Sequence, residues 1–367
     1  MQFALVGAIE KRDVEKVQQL ISDGVNLDVE IIFTKTPLTH AIELEHNKVA
    51  LQLLENGCDP NRPVDEFPFS QPIHLAAKHN LSNIIEKLVE MNVDPNVRDR
   101  DDMTPLHIAS YFGRVSSVET LVRCGANFNL GDGCYRTSIH RAVEIGSIDI
   151  VKMLINHSVD IDATDIKGWT PLHLSIALDF QDIFRILLEN KCRFDIADVN
   201  GRTPLAIACD YLNRSNVDIV RATQFHYEGR TIDFLQGRYL SFLQRPKEER
   251  EMLQTVSTLI NAGANVDGAG LLPISIAAKA DHADTVCMLI NAGALIPQFW
   301  QPLGTEIQLG FRMFQLTEWI DSKCILQYNL LYQCKRMIRK LLSKTCDSLE
   351  NGIDKLPLPT SLKTFLK

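Results

Sequence analysis

Apolar residues recur along the first 297 residues in short blocks that return about every 33 positions. The clearest block runs from Thr104 through Pro105, Leu106 and His107 to Ala109, and it returns at Thr170 and at Thr203. Degenerate copies begin at Phe3, Thr36, Gln71, Thr137 and Leu272. The successive intervals are 33, 35, 33, 33, 33, 33 and 69 residues. A fixed period of this length predicts stacked copies of one small unit, because a single unit cannot bury its own apolar face.

Each block has the residues expected of two short helices and a turn. Thr and Pro open the first helix, since a proline in the first turn loses no hydrogen bond. Small alanines inside the block allow neighbouring helices to approach closely. A turn residue follows 21 positions after each start, often a glycine that predicts a helix C-cap with positive φ: Gly24, Gly57, Asn92, Gly125, Ser158, Lys191 and, in the last copy, Gly293.

This pattern resembles the ankyrin repeat, whose signature is Thr-Pro-Leu-His-x-Ala at a period of 33. The resemblance implies an all-α fold, an ankyrin-repeat solenoid of helix pairs with β-hairpin tips at segments such as 99–102 and 165–168. We predict eight repeats over residues 1–297. The seventh is interrupted by a 39-residue insertion between about Asn213 and Val256, because Gly263 lies sixty positions after Thr203 instead of 21.

Four of the ten histidines occupy the same position of the repeat: His74, His107, His140 and His173. Side chains spaced along a solenoid cannot converge on one metal ion or one substrate. We therefore predict that these histidines form structural hydrogen bonds and that the chain binds no metal or other cofactor.

Charge and cysteine content narrow the class of protein further. From Lys323 onward nine Lys/Arg stand against three Asp/Glu, whereas the preceding part has 29 against 43, so an acidic body argues against a nucleic-acid partner. The nine cysteines form no CxxC pair, which indicates reduced thiols. No apolar run reaches the roughly 18 residues of a membrane span, and no basic region leads the N-terminus. We expect a cytoplasmic protein without a membrane partner, with the nucleus as an open alternative.

The C-terminal part carries a different pattern. An amphipathic helix is predicted around residues 330–342, with Leu330, Cys334 and Ile338 on one stripe and basic residues opposite. Alone, such a helix is typical of a protein-docking helix, and also of a membrane-surface or calmodulin-binding helix. It is followed by Leu356-Pro357-Leu358-Pro359, where two prolines stiffen an extended strand and remove two backbone donors.

Together the two segments resemble a SOCS box, and the chain is similar to the ankyrin repeat and SOCS box family. The resemblance implies that Leu330, Cys334 and Ile338 bind elongin C, which comes with elongin B. It also implies that residues 356–359 bind a cullin with its RING protein, and the LPLP form indicates the fifth cullin paralogue. Residues 298–326 would be a linker and residues 327–367 the SOCS box.

The function so implied is that of a non-catalytic substrate receptor of a cullin–RING ubiquitin ligase, acting in protein degradation and intracellular signalling. Such a receptor acts by proximity, because holding the target and the ligase together raises the effective concentration of the ligase at the target. Two alternatives stay open. One is an ankyrin scaffold or inhibitor outside ubiquitination, and the other is a nucleotide- or metal-dependent enzyme, for which no GxxxxGK or HExxH motif is present.

A protein substrate is expected to bind the groove formed by the first helices of the central repeats. The residue before each block-opening Thr and the two residues after the inner alanines face this groove. Aromatics and Arg, which favour interface hot spots, are frequent there. The predicted substrate-binding residues are Met103, Tyr111, Phe112, Arg136, Glu144, Ile145, Trp169, Leu178, Arg202 and Tyr211. The insertion either forms a side wall of an open groove or covers it.

Overall fold

A computed structural model provides the structure, and it describes residues 1–30, 35–62, 70–211, 225–227, 230–232, 249–267, 273–279, 285–286, 288–289 and 292–294. The chain divides into two compact units, Met1–Pro204 and Leu205–Lys367. Each unit is described by itself below.

The first unit is a stack of helix pairs. In the described part of this unit six pairs precede the helix that begins at its last residue, Pro204. The first helices of the pairs are α1 (Gln2–Glu10), α3 (Pro37–Glu43), α5 (Pro72–Lys78), α7 (Pro105–Tyr111), α9 (Ser138–Glu144) and α11 (Pro171–Ala177). The second helices are α2 (Val14–Ser22), α4 (Asn47–Glu55), α6 (Ser82–Glu90), α8 (Val115–Arg123), α10 (Ile148–Asn156) and α12 (Gln181–Glu189).

Most of the first helices begin with the same side-chain cap. Thr104 is the N-cap of α7, and its hydroxyl accepts from the backbone N–H of His107, while the His107 ring interacts in return with the Thr104 backbone. Pro105 stands at the first helical position, where its missing N–H costs nothing. The same reciprocal cap opens α9 and α11. The Thr-Pro-Leu-His block is thus a helix start encoded within four residues.

The recurrent histidines join neighbouring repeats. The backbone N–H of Thr104 donates to Nδ1 of His107 at 3.0 Å, which leaves Nε2 as the protonated nitrogen. Nε2 lies 2.9 Å from the carbonyl oxygen of Leu130 and donates to it. Nε2 of His74 reaches the carbonyl oxygens of Val97 and Met103, and Nε2 of His140 reaches that of Trp169. The predicted structural role of these histidines is confirmed.

Hairpin tips precede α7, α9, α11 and the helix that begins at Pro204, and an aspartate holds each of these four tips. In the tip before α9, the backbone N–H of Asp132 donates to the carbonyl of Arg136 at 3.0 Å. The Asp132 carboxylate accepts the N–H groups of Cys134 and Arg136 at 2.8 and 3.0 Å. The same arrangement recurs at Asp99, Asp165 and Asp198. The predicted β-hairpin tips are therefore present, and their acidic residues are structural.

A second ladder of bonds links the loops that follow the second helices. In these loops a side-chain oxygen of one repeat accepts the backbone N–H of a residue 31 positions later in the next repeat. Asn96 accepts from Asn127 at 2.7 Å, and Asn129 accepts from Asp160 at 2.9 Å. The helix before each loop ends with a residue of positive φ, which is glycine at Gly125 and serine at Ser158. The C-cap prediction is confirmed.

The core lies between successive pairs. Leu106, Val118 and Leu121 are fully buried, and so is Ala109, whose small side chain lets α7 approach its neighbours. Each fully buried side chain of Leu size stabilises the fold by roughly 1.5–3 kcal/mol. Because each pair from α1 and α2 to α9 and α10 is covered by the next, burial is spread along the stack instead of concentrated at one centre.

The second unit contains the remaining described elements. Helix α13 spans Pro204–Tyr211, and strands β1 (Phe225–Tyr227) and β2 (Arg230–Ile232) form an antiparallel hairpin with His226 opposite Thr231. Helices α14 (Glu249–Asn261) and α15 (Pro273–Lys279) follow. Val256, Leu259, Ile274 and Ala277 are buried, at 0% exposure each, so these helices also carry an apolar face.

Acidification is predicted to destabilise the stack through the histidines. Burial lowers the pKa of His107 from 6.5 to about 4, so below about 6.5 the unfolded chain binds a proton that the folded chain does not. The stability that the neutral His107 ring contributes is fully present above pH 6.5, and it is lost progressively as the pH falls toward 4. His107→Gln should lower stability by about 1–3 kcal/mol at pH 7, because it breaks a buried bonded pair, and by less at pH 5. Urea unfolding of both proteins at pH 7 and pH 5 measures the loss of stability. An equal loss at the two pH values would contradict the predicted role of the neutral His107 ring.

Candidate functional site

Three rows of residues form the predicted groove face of the first unit. They are the residue before each block-opening Thr, the last residue of each first helix, and the C-cap that follows it. In the repeat of α9 these positions are Arg136, Glu144 and Ile145. In the repeat of α7 they are Met103, Tyr111 and Phe112.

A buried chain of charges crosses this face at α9. Arg136 from the hairpin tip pairs with Glu144 at the far end of the helix. Arg141 also pairs with Glu144, at 2.9 Å, and with Asp132. Nε of Arg136 lies 3.6 Å from Asp165 of the next tip. All five side chains are buried, with Arg141 at 0% exposure, so the network joins two repeats across the face without offering free charges.

The pairing keeps Asp132 and Arg141 ionised. Burial by itself would raise the pKa of Asp132, but the charge of Arg141 and the bonded N–H groups of Arg136 and Cys134 hold that pKa below its ordinary value. Burial would likewise lower the pKa of Arg141, but Glu144 and Asp132 raise it further above its ordinary value. Asp132 and Arg141 therefore stabilise each other, and removing Arg141 leaves Asp132 as a buried unpaired charge.

Trp169 is held in a similar way in the next repeat. Its indole N–H donates to Asp198 at 3.1 Å, and the ring stacks on His173 at 6.4 Å. The guanidinium of Arg202 lies 5.9 Å from the ring and binds Asp198 at 2.7 Å. Only 6% of Trp169 is exposed, so most of the ring packs within the chain.

The C-cap row is more open than the rest of the face. Phe112 is 39% exposed and contacts Tyr111 edge to face, with ring centroids 5.3 Å apart. Ile145 and Leu178, at the equivalent positions of the next two repeats, are half-buried. This row is the accessible apolar part of the face.

The ten predicted substrate-binding residues thus divide by environment. Four of them are buried within the isolated chain: Met103, Arg136, Glu144 and Trp169. Phe112 is exposed, and four are half-buried: Tyr111, Ile145, Leu178 and Arg202. Tyr211 ends α13, and its side chain lies outside the described residues. The assignment of the set to substrate binding stays a prediction, with Phe112 and its half-buried neighbours as its accessible members.

The buried charge network and the role of Arg141 were not predicted from the sequence. One signal could have revealed it. The position of Arg141 within the block is apolar in the neighbouring repeats, where Leu75, Ile108 and Leu174 stand. A cation at a position that otherwise carries core residues requires acidic partners nearby, but their identity depends on which tips lie beside α9.

Two parts of the chain match known protein families. Residues 67–132 and 139–222 match the family profile of ankyrin repeats. Residues 329–367 match that of the SOCS box. The chain belongs to the ankyrin repeat and SOCS box family. A search of the curated proteins finds no match.

Among solved structures, the fold of this chain has a counterpart. The crystal structure of the ankyrin repeat domain of Bcl-3, described as a unique member of the IkappaB protein family, is similar over 59% of this chain and 97% of that domain. The identity is 24% and the TM-score 0.52, which establishes a shared ankyrin fold. The predicted fold class is confirmed.

Both matched modules are adaptor modules that recognise other proteins. Ankyrin repeats followed by a SOCS box are the combination of modules found in substrate receptors of elongin B/C–cullin ligases. The residues predicted to bind elongin C (Leu330, Cys334, Ile338) and the cullin (Leu356, Pro357, Leu358, Pro359) lie outside the described residues.

Other kinds of site find no support in the described part of the chain. There, no cluster of three His, Cys, Asp or Glu could hold a metal ion, and no helix has the length and apolar character to span a membrane. The five described cysteines (58, 124, 134, 192 and 209) are free thiols. Burial raises the pKa of Cys58 and Cys192 to about 12, which makes these two poor nucleophiles.

Arg141 is predicted to be critical for stability. Arg141→Met should reduce the free energy of unfolding by about 3–5 kcal/mol at pH 7, because Asp132 would remain buried without its cation and Glu144 would keep only Arg136. Arg123 provides a matched control, since its pair with Glu86 is an exposed one. Arg123→Met should cost less than about 1 kcal/mol. Urea unfolding measures both, and similar losses for the two variants would refute the assignment.

Proposed function

We propose that this protein is the substrate receptor of an elongin B/C–cullin–RING ubiquitin ligase that uses the fifth cullin paralogue. The SOCS box contacts elongin C through Leu330, Cys334 and Ile338, and the cullin through residues 356–359. The groove face of the ankyrin repeats binds a protein target. The ubiquitin chemistry takes place on separate enzymes, and this chain supplies proximity.

The observation that carries the proposal is the presence of two recognition modules in one chain, with the SOCS-box match at residues 329–367 and ankyrin repeats before it. Within the SOCS-box match, Leu330 and Cys334 are four residues apart, the spacing that would place both on one face of the predicted helix. A scaffold or inhibitor outside ubiquitination needs the ankyrin repeats but not this second module. Elongin recovery therefore separates the two functions.

The elongin contact is predicted to depend on Leu330 and Cys334. Burial of one Leu side chain contributes roughly 1.5–3 kcal/mol, which is about ten- to a hundred-fold in affinity. Leu330→Ala with Cys334→Ala should abolish co-purification of elongins B and C with the full-length chain. Circular dichroism should show unchanged helix content, because the ankyrin repeats are intact. Undiminished elongin recovery by the folded double variant would exclude this contact.

The cullin contact is predicted to be separable from the elongin contact. Replacing Leu356, Pro357, Leu358 and Pro359 together by Ala should leave elongin C bound but release the cullin, since the two segments act on different partners. Immunoprecipitation of the full-length chain followed by blotting for elongin C and for the second and fifth cullins measures both. Recovery of the second cullin by the unaltered chain would show that the choice of paralogue is mistaken.

A further inference from the structure

The first helix of the chain has apolar residues on all of its sides. Gln2 and Glu10 are the only polar residues of α1, and they stand at its two ends. One side of the helix, with Leu5 and Ile9, is buried within the first unit. A helix that is apolar all round is typical of a helix that is covered on every side. The other side of α1 is therefore expected to have a partner as well.

The side of α1 opposite to Leu5, here named the outward side, consists of Phe3, Ala4 and Gly7. Phe3 is 93% exposed, and Ala4 is exposed too. At the positions of the next repeat that are equivalent to these two residues, Thr36 and Pro37 are buried. Within the described part of the chain, the outward side is thus an open apolar surface where the next repeat has a covered one.

Gly7 leaves an empty position on the outward side. It stands inside the helix, where glycine is less stable than alanine. A β-carbon on Gly7 would meet no heavy atom within 4 Å, so no contact with the rest of the described chain requires a glycine there. The equivalent residue of the next repeat, His40, lies 3.8 Å from Glu10 of the preceding repeat. The position of Gly7 is therefore one through which repeats stack on what precedes them.

Phe3 and Gly7 are arranged so that the outward side is complementary to itself. The two residues are four positions apart, on one side of the helix, and each is two positions from Leu5. If two α1 helices lie antiparallel about a two-fold axis at the level of Leu5, Phe3 of one copy faces Gly7 of the other. Symmetry then repeats the same contact with the roles exchanged. One helix therefore supplies both the bulky ring and the empty position that receives it.

The charge balance at this end of the stack permits such a contact. Residues 1–322 carry 29 Lys/Arg against 43 Asp/Glu, so two copies of this acidic body repel each other on average. Residues 1–22, which include both helices of the first pair, carry three Lys/Arg and three Asp/Glu. The local balance is neutral, so the repulsion between two copies that meet at α1 is low.

We propose that two copies of this chain associate through the outward sides of their α1 helices, as an antiparallel pair in which Phe3 of each copy packs on Gly7 of the other. The contact extends to a second copy the surface through which the repeats of one copy stack. Its two-fold symmetry closes the assembly at a dimer. The association does not depend on the receptor function.

The size of the contact sets the expected strength of the dimer. A Phe side chain buries about 150–250 Å². Two Phe3 rings and the small residues around them stay below the roughly 1,200 Å² at which interfaces of standard size begin. The dimer is therefore a transient one, with a dissociation constant on the order of 10 μM.

Sedimentation velocity of the full-length chain, from about 1 to 100 μM, tests the proposal over a range that brackets the expected dissociation constant. The variants are Phe3→Ala, Gly7→Phe and the double variant that carries both changes. Phe112 is another exposed aromatic residue, 39% exposed on the C-cap row, and Phe112→Ala provides the matched control. Circular dichroism checks that each variant is folded. Phe3→Ala alters only an exposed side chain, so it keeps the test decisive if Gly7→Phe does not fold.

The unaltered chain should sediment as a monomer at the lowest concentration and increasingly as a dimer at the highest. Phe3→Ala should weaken the dimer by about ten-fold or more, because two rings are lost from one contact. Gly7→Phe should weaken it as well, because ring then meets ring. The double variant exchanges the ring and the empty position, so it should associate at least about ten-fold more tightly than either single variant. Phe112→Ala should leave the association unchanged.

A monomer at every concentration would overturn the proposal. That is the result expected if another segment of this chain, such as the apolar residues among 298–326, or a different protein covers α1. Association that Phe3→Ala leaves unchanged would place the dimer contact elsewhere and overturn it too. So would a folded double variant that associates no better than the single variants, or a species larger than a dimer, since a two-fold contact is closed.

Discussion

The bond between each recurrent histidine and the next repeat is the interaction on which the first unit depends. One imidazole closes the start of its own helix through Nδ1 and reaches a carbonyl of the following repeat through Nε2. Only the neutral ring can do both, because Nδ1 must accept while Nε2 donates. Burial favours that neutral form. The same residue therefore sets local helix geometry and the spacing between repeats, so regularity in sequence becomes regularity in space.

One departure from this regularity lies within α9. Where the neighbouring repeats carry Leu75, Ile108 and Leu174, this repeat carries Arg141, and its charge is balanced by Asp132 and Glu144. A buried network of this kind is costly to disrupt, but an apolar core of the same volume would often be as stable. We interpret its value as rigidity: it fixes the end of α9 and the Arg136 side chain, and so holds Ile145 in place at the rim of the face.

The accessible part of the face is a row of C-cap residues and not the whole groove. Buried ion pairs and the packed Trp169 occupy the floor, whereas Phe112 is exposed at the rim. A receptor that meets its target at such a rim gains specificity from a few exposed residues on a rigid frame. The shared scaffold can then be retained in other proteins while these exposed positions change, as expected when function resides in a site and not in the fold.

The sequence alone determined what is local and periodic. Thr36, Thr104 and Thr170 mark helix starts, the histidines mark contacts between repeats, and the resemblance of the C-terminal segments to a SOCS box agrees with the family match. Such features are encoded within a few residues or recur at one interval, so they are visible without coordinates.

Tertiary structure decided which groove residues are accessible. Arg136 and Phe112 look equally suited to binding in the sequence, but Arg136 meets Glu144 and Asp165 across two repeats and is buried, whereas nothing of that kind covers Phe112 in the described part of the chain. Side-chain burial depends on neighbours far apart in sequence, which a repeat pattern does not specify.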